Sequence, residues 1–407
     1  MESKHIRIED FDYELPDERI AKYPIGVRDA SKLLIYRHGD ISEHQFCELP
    51  EFLPTGSLLV FNNTKVIQAR LHFHKETGAL IEIFCLEPYN PQDYQQNFGQ
   101  HSHCQWVCLV GNQKKWKSGV LSSVVDRHGE KLLLQAEVVG RKDQSVIIEF
   151  RWDCPELTFS EMLEAMGELP IPPYLHRNTE EKDKETYQTV YSKIKGSVAA
   201  PTAGLHFTQR VLNEIDERGI ERDEITLHVG AGTFRPVKSA EMGDHEMHSE
   251  YIYVTLQSIE KLIRHGGRCI AVGTTTVRTL ESLYYVGIKV LNYPDIAETE
   301  LHVEQWMPYE VEEKWSKVST LTALTALREY MVSHQLSALQ TSTQIIILPG
   351  YRYHMVERMI TNFHMPKSTL LLLVSALIGD DWKRVYHYAL HHDFRFLSYG
   401  DSSLLIP

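Results

Sequence analysis

An α/β fold with a smaller all-β unit set into it is what this sequence predicts, and three observations predict it. Between Leu58 and about Phe150, β-like segments succeed one another with no helical period between them. Beyond about residue 155, helix-like stretches alternate with apolar strands, the mark of an α/β unit. The first 60 residues also hold strand signals, so the all-β block is expected to interrupt the α/β unit instead of preceding it. The expected division is a discontinuous α/β domain over 1–65 and 155–407, with an all-β domain, barrel or sandwich, inserted at 66–154.

Taken in order, LLVFNNTKVIQARL (Leu58–Leu71) reads as a strand, a polar turn at Asn62–Lys65 and a second strand. ALIEIFCLE, CQWVCLV, KLLLQAEVVG and SVIIEFRW then alternate or run apolar, punctuated by Gly, Asn, Asp and Lys. The hydrophilic NTEEKDKE (178–185) reads as a solvated loop. TQRVLNEIDERG is a helix with Gly219 as its stop, and the apolar strands EITLHV and RCIAVG follow. Within 283–343, VSTLTALTALREYMVSHQLSAL carries apolar residues at helical spacing and predicts one or two amphipathic helices, so this region is expected to be a helical elaboration packed on the α/β domain.

Composition narrows the class. Hydrophobic residues at 43% and charged residues at 24% suit a packed globular chain. A net charge of −13 excludes a generally basic nucleic-acid coat protein, so any nucleic-acid contact must use a local positive patch. Six cysteines without dense spacing suit a reducing cytosol, and the charged start MESKHIRIEDFDYELP is no secretory signal. The longest apolar run, Leu370–Gly379, falls short of the roughly 20 residues that span a bilayer. A cytoplasmic protein is expected, and a monomer.

Four segments put small or polar residues after an apolar strand or at a helix start. HVGAGTFRP (His228–Pro236) holds Gly230 and Gly232, where backbone can approach a ligand; Arg235 stands at the third glycine position, so this is not a dinucleotide fingerprint. AVGTTTVRTLES (Ala271–Ser282) is a strand, Gly273, three threonines and a helix, whose free N–H groups suit an anion such as a carboxylate. VAAPTAGLHFT (Val198–Thr208) is a run of small residues, including Thr202 and Gly204, that ends in His206 and Phe207. TNFHMPKSTLLLLVSALIG places His364 and Lys367 before an apolar helix opened by Pro366. For a metal, HSHCQWVC offers His101, His103, Cys104 and Cys108, but the period of two puts Cys104, Trp106 and Cys108 on one side of a strand and no second pair follows, so no metal is expected. KKWK (Lys114–Lys117) has the make-up either of a nucleic-acid contact or of a solvated hairpin tip.

Together with PDERIAKYPIGVRDASKLLIY, GELPIPPYLHR, YQTVYSKIKGSVAAPTAGLHFT, MHSEYIYV, PGYRYHMVERMITNFHMPKS and SYGDSSLL, these segments resemble the S-adenosylmethionine:tRNA ribosyltransferase-isomerases of queuosine biosynthesis, in the family's order and from near the first residues to the last few. Two departures stand out: Asn63 occupies a position where the family more usually has Asp, and about 60 residues separate AVGTTTVRTLES from PGYRY. The resemblance implies a barrel-like α/β domain with a β-rich second domain. It implies S-adenosylmethionine as ribosyl donor, a substrate and not a cofactor, and a tRNA bearing a 7-aminomethyl-7-deazaguanine as acceptor. Adenine and methionine leave, and the product is epoxyqueuosine.

That chemistry assigns expectations to residues. Gly230, Gly232, Thr233 and the Thr274–Thr276 helix start, with Thr202 and Gly204, are expected to bind the donor's carboxylate or ribose hydroxyls. Phe207, Phe234 or Tyr251 is expected to face its sulfonium. Arg177, Lys193, Lys195, Arg235, Arg278 and Lys367 are candidates for tRNA phosphates. Loss of adenine from an opened ribose needs a carbanion-like centre beside the sulfur, hence a base near the ribose 5′ carbon. The candidates are His206 and His228 first, then His248 and His364, with Glu250 as a carboxylate alternative. A non-catalytic RNA-binding module with a regulatory nucleotide, and a histidine metal hydrolase, are the competing classes.

Overall fold

A computed structural model describes residues 2–75, 77–116, 118–127, 130–142, 145–230, 237, 239–315 and 317–407. Its strands, in chain order, are β1 (Lys32–Arg37), β2 (Asp40–Gln45), β3 (Leu58–Asn62), β4 (Thr64–Val66), β5 (Arg70–His74), β6 (Leu80–Asn90), β7 (His103–Gly111), β8 (Leu121–Arg127), β9 (Glu130–Lys142), β10 (Ser145–Trp152), β11 (Gly167–Glu168), β12 (Ile194–Ser197), β13 (Glu221–His228), β14 (Glu250–Thr255), β15 (Cys269–Val272), β16 (Ala338–Thr343), β17 (Val356–Asn362) and β18 (Ser402–Ile406). Among the described residues nine of them form one sheet, in the order β16-β14-β13-β3-β15-β17-β18-β1-β2. The central four, β13, β3, β15 and β17, are parallel. The fold is mixed α/β.

Strands buried on both faces explain the continuous apolar runs in the sequence. In β1, Leu34 and Tyr36 belong to the core that also takes in the helices Thr274–Asn292, Thr320–Ser333, Thr369–Ile378 and Asp381–His391, while Leu33 and Ile35 belong to a second core with Phe46, Phe207 and the helix Gln209–Glu217. Alternation sorts neighbouring residues into two cores because successive side chains leave opposite faces of a strand.

The β-like segments form a second sheet, all antiparallel, in the order β11-β5-β6-β7-β10-β9-β8, around a core of its own. It reaches beyond the expected 154: the helix Phe159–Met166 sends Phe159, Met162 and Leu163 into this core, and β11 adds an edge strand. Cys104, Trp106 and Cys108 do share its buried face.

Three local expectations need correction. The Asn62–Lys65 turn is instead a step from one sheet to another, because Thr64–Val66 pairs in parallel with β12. The 178–185 stretch is only partly solvated, since Asp183 is buried and accepts two 2.7 Å bonds from Arg177 and one of 2.9 Å from Tyr399. Region 283–343 is not purely helical: after the helices Met307–Trp315 and Thr320–Ser333, Gln335 turns the chain at φ +55° into β16, the edge strand of the large sheet.

Candidate active site

The carboxyl ends of the parallel strands open on a cavity of about 320 Å³, where open α/β sheets seat their ligands. Val229, just past β13, Gly273, just past β15, and Thr361–Phe363, around the end of β17, contribute its lining. The helix Thr274–Asn292 begins here. Gly273, at φ +87°, turns the strand into the helix and brings no capping side chain, so the first N–H groups keep their hydrogen-bonding capacity and the positive end of the dipole lies at the cavity. Thr274 and Thr275 line the cavity, whereas the Thr276 hydroxyl donates back to the Val272 carbonyl at 2.6 Å.

One turn along that helix, buried Arg278 pairs with buried Glu250 at the start of β14 and donates from Nε to the Ile345 carbonyl at 3.3 Å. Its Nη2 finds no hydrogen-bond partner among the described residues, and neither does the buried hydroxyl of Tyr187; both residues line the cavity. Buried polar groups are seldom left unpaired, so these two mark where a ligand or water completes the site. Ile345, Ile346, Ile347 and Leu373 supply an apolar wall.

Of the expected catalytic residues, His248, Glu250 and His364 line this cavity. His364 is buried, bonds Thr361 Oγ1 through Nε2 at 3.0 Å, and is lowered to about pKa 4 by burial. The two histidines ranked first are elsewhere. His206 does not line the cavity: its Nδ1 is 2.8 Å from Ser31 Oγ and its Nε2 3.3 Å from Asn362 Oδ1, and burial takes it to about 4. His228 lies under Tyr94 of the second sheet's short helix Tyr94–Phe98, ring centroids 4.0 Å apart, and burial takes it also to about 4. Of the two small-residue turns that suggested ligand approach, the one at Ala203–Gly204 serves protein packing, since a Cβ on Gly204 would collide with the Tyr191 hydroxyl. A Cβ on Gly230, in contrast, would meet nothing within 4 Å among the described residues; separately, Gly196 leaves room for the His228 ring.

Among the expected binding residues, Thr202, Thr274, Thr275, Arg278 and Lys367 line the cavity. Phe207 is core, edge-on to Phe46 and Phe61, and does not line the cavity. Gly230 follows Val229 and is half-buried. Gly232, Thr233, Phe234 and Arg235 lie outside the described residues. Of the phosphate candidates, Arg177 holds Asp183, Lys193 holds Glu224, Lys195 holds Glu164, Arg278 holds Glu250, and Lys367 holds Glu9 and Asp12. Pro366 does not open the apolar helix, which starts at Thr369 behind an N-cap from Ser368. In KKWK, Trp116 is buried with its indole N–H on the Gly119 carbonyl, so it offers no stacking face.

Sequence reasoning missed Tyr174, whose hydroxyl is 2.6 Å from that of Ser398, as well as Tyr187 and the Ile345–Ile347 wall. The tyrosines and Ser398 sit in segments already quoted, and the run IIIL before PGYRY was the signal for the wall. Among the described residues no group of three or more His, Cys, Asp or Glu gathers in a metal-holding arrangement, and no helix is long and apolar enough to cross a membrane.

The chain is similar to several known proteins. The S-adenosylmethionine:tRNA ribosyltransferase-isomerase of Treponema denticola is 34% identical over 406 residues, covering 98% of this chain and 99% of its own. The protein of the same name from Francisella tularensis subsp. novicida is 36% identical over 407 residues, covering 98% and 100%. A crystal structure of an S-adenosylmethionine tRNA ribosyltransferase from Thermotoga maritima is 27% identical, with 98% of this chain and 100% of that one covered and a TM-score of 0.44. The family model described as queuosine biosynthesis protein matches residues 8–405, and the chain belongs to that family.

Proposed function

We propose that this chain is an S-adenosylmethionine:tRNA ribosyltransferase-isomerase. It transfers and isomerises the ribosyl moiety of S-adenosylmethionine onto the aminomethyl group of 7-aminomethyl-7-deazaguanine in tRNA, giving epoxyqueuosine-tRNA with release of adenine and methionine. One observation carries this: Tyr174, Tyr187, His248, Arg278, His364 and Ser398, from six separately matched stretches, line a single cavity. The donor enters as a substrate, and tRNA as its partner places the reaction in the cytoplasm. A barrel-like α/β unit carries the chemistry, and the separate core of the second sheet supports its assignment as an inserted β domain.

In this reading the uncapped helix start at Thr274, backed by Arg278, takes the donor's carboxylate. The Ile345–Ile347 wall takes the apolar face of the adenine. The sulfonium acidifies the 5′ C–H, and a base removes that proton to leave a carbanion-like centre beside sulfur, from which the ribose opens and adenine departs. His248 is the base. His206, His228 and His364 are held near pKa 4 and accept a proton poorly at neutral pH. Glu250 is engaged by Arg278. His248 lines the cavity and is exposed, so it can return its proton to solvent.

The test is adenine release together with exchange of the 5′ hydrogens into deuterated water, with precursor tRNA. His248→Ala is expected to lower exchange by about 10²-fold or more, the usual contribution of a general base, while His228→Ala retains it in the folded fraction. Exchange near the parent rate in His248→Ala refutes the assignment of the base. Methylated product, or no adenine from the parent, refutes the function, and a non-catalytic RNA-binding module would give the second result.

A further inference from the structure

The stretch PDERIAKYPIGVRDASKLLIY matches the family, yet none of its residues lines the cavity. It builds the adjoining wall instead. Pro24, Arg28 and Ser31 border a notch of about 20 Å³ with His206, Arg395 and Ser398, and Ser398 lines both the notch and the cavity. Two arginines and no carboxylate line this notch, a local reversal of sign on a chain of net charge −13. Arg28 donates to the backbone carbonyls of Gln188 at 2.6 Å and Glu185 at 2.9 Å, contacts that fix its guanidinium without neutralising it. Arg395 is partly offset by buried Asp401 at 3.5 Å and reaches the Tyr23 carbonyl, also at 3.5 Å.

Tyr23 is 51% exposed on the same loop. The Arg177 guanidinium, fixed in a fork on Asp183, sits over its ring at 4.4 Å, and Glu180 accepts from its hydroxyl at 2.8 Å. A ring held at one face and at its tip, with half its surface in water, offers the remaining face as a stacking platform.

We propose that this rim receives the RNA strand next to the nucleotide being modified: a flanking base stacks on Tyr23, its phosphate lies against Arg28 and Arg395, and the modified nucleotide enters the cavity past Ser398. The assignment rests on the ribosyltransferase reading above. Stacking and phosphate contact together suit single-stranded RNA, whose bases are free to splay. A protein partner fits less well, because the exposed apolar residues of this loop are only Tyr23 and Val27 and make no continuous patch.

The experiment measures affinity for precursor-bearing tRNA by fluorescence anisotropy over a range of salt, and affinity for S-adenosylmethionine by calorimetry, in the full chain. Tyr23→Ala is expected to weaken tRNA binding about tenfold, as loss of one base–aromatic stack does. Arg28→Gln is expected to reduce the slope of log affinity against log salt by about one, and Arg28→Lys to restore it. Arg28 also braces two carbonyls, so its variants are compared by melting curve, and exposed Tyr23 gives the independent arm. Affinity for S-adenosylmethionine should stay within twofold in all three. Binding of tRNA by Tyr23→Ala within twofold of the parent, or an unchanged salt slope in a folded Arg28→Gln, overturns the proposal. If the parent binds tRNA and releases adenine, the function survives that result; if the parent does neither, both fall.

Discussion

Replacing Glu281 should damage the fold more than any surface substitution. Its side chain is fully buried on the helix Thr274–Asn292, and each carboxylate oxygen accepts two hydrogen bonds: Oε2 from the Tyr351 hydroxyl at 2.8 Å and the His354 N–H at 2.9 Å, Oε1 from the N–H groups of Met355 at 3.0 Å and Val356 at 2.9 Å. These bonds fix the segment that enters β17, whose far end lines the cavity. Glu281→Ala strands four donors, three of them buried and the fourth, the His354 N–H, half-buried. At about 1 kcal/mol each, the low end for an unsatisfied buried group, the loss is about 4 kcal/mol. Large units lose about 2 °C of Tm per kcal/mol, which gives a drop of about 8 °C. Glu281→Gln keeps one carbonyl and should lose about half as much. The assay is thermal melting, with Glu357→Ala as control because that carboxylate is 44% exposed and pairs with Arg268 at the surface. If Glu281→Ala and Glu357→Ala melt within 2 °C of each other, the reasoning fails.

Two further outcomes follow from packing and charge. Gly204→Ala should cost about 1–3 kcal/mol by overpacking, since a Cβ there would lie 2.8 Å from Thr189 Cγ2 and run into the Tyr191 hydroxyl, and Tyr191→Phe should recover part of it; urea midpoints of the two single variants and the double one decide this. Burial pushes the Asp183 carboxyl up, but the Arg177 fork, the Glu180 N–H and the Tyr399 hydroxyl together pull it below its ordinary value. Its stabilisation is therefore complete above the unfolded value near 4 and fades as the pH falls below that, so the midpoint difference between parent and Asp183→Asn should be larger at pH 7 than at pH 3.

Much of this was legible from residue order. Apolar runs marked β3 and β15 because strands covered on both faces need no alternation, and the glycine–threonine step marked the helix start at the cavity. What sequence could not supply was direction and partnership. His206 and Thr202 are four residues apart in one short 3-10 helix, yet Thr202 lines the cavity while His206, outside its lining, faces Ser31 and Asn362. Arg177 and Lys195 read as free cations because their carboxylate partners, Asp183 and Glu164, are set by folding and carry no motif. β16 escaped notice because ALQTST carries little apolar signal; its place is given by pairing with β14.

The position of β18 has a consequence for how the chain is made. It lies between β17 and β1, antiparallel to one and parallel to the other, with Leu33 opposite Ser402 and Tyr36 opposite Leu405. The β1–β2 hairpin therefore has no seat in the large sheet until a strand about 350 residues later has been synthesised. At about 5–20 residues per second that interval is roughly 20–70 s. Throughout it Leu33, Leu34, Ile35 and Tyr36, all buried in the finished protein, have nothing of the sheet to cover them. Nascent chains halted before β18 should bind hydrophobic-sensing chaperones through this hairpin and lose that binding once β18 is present.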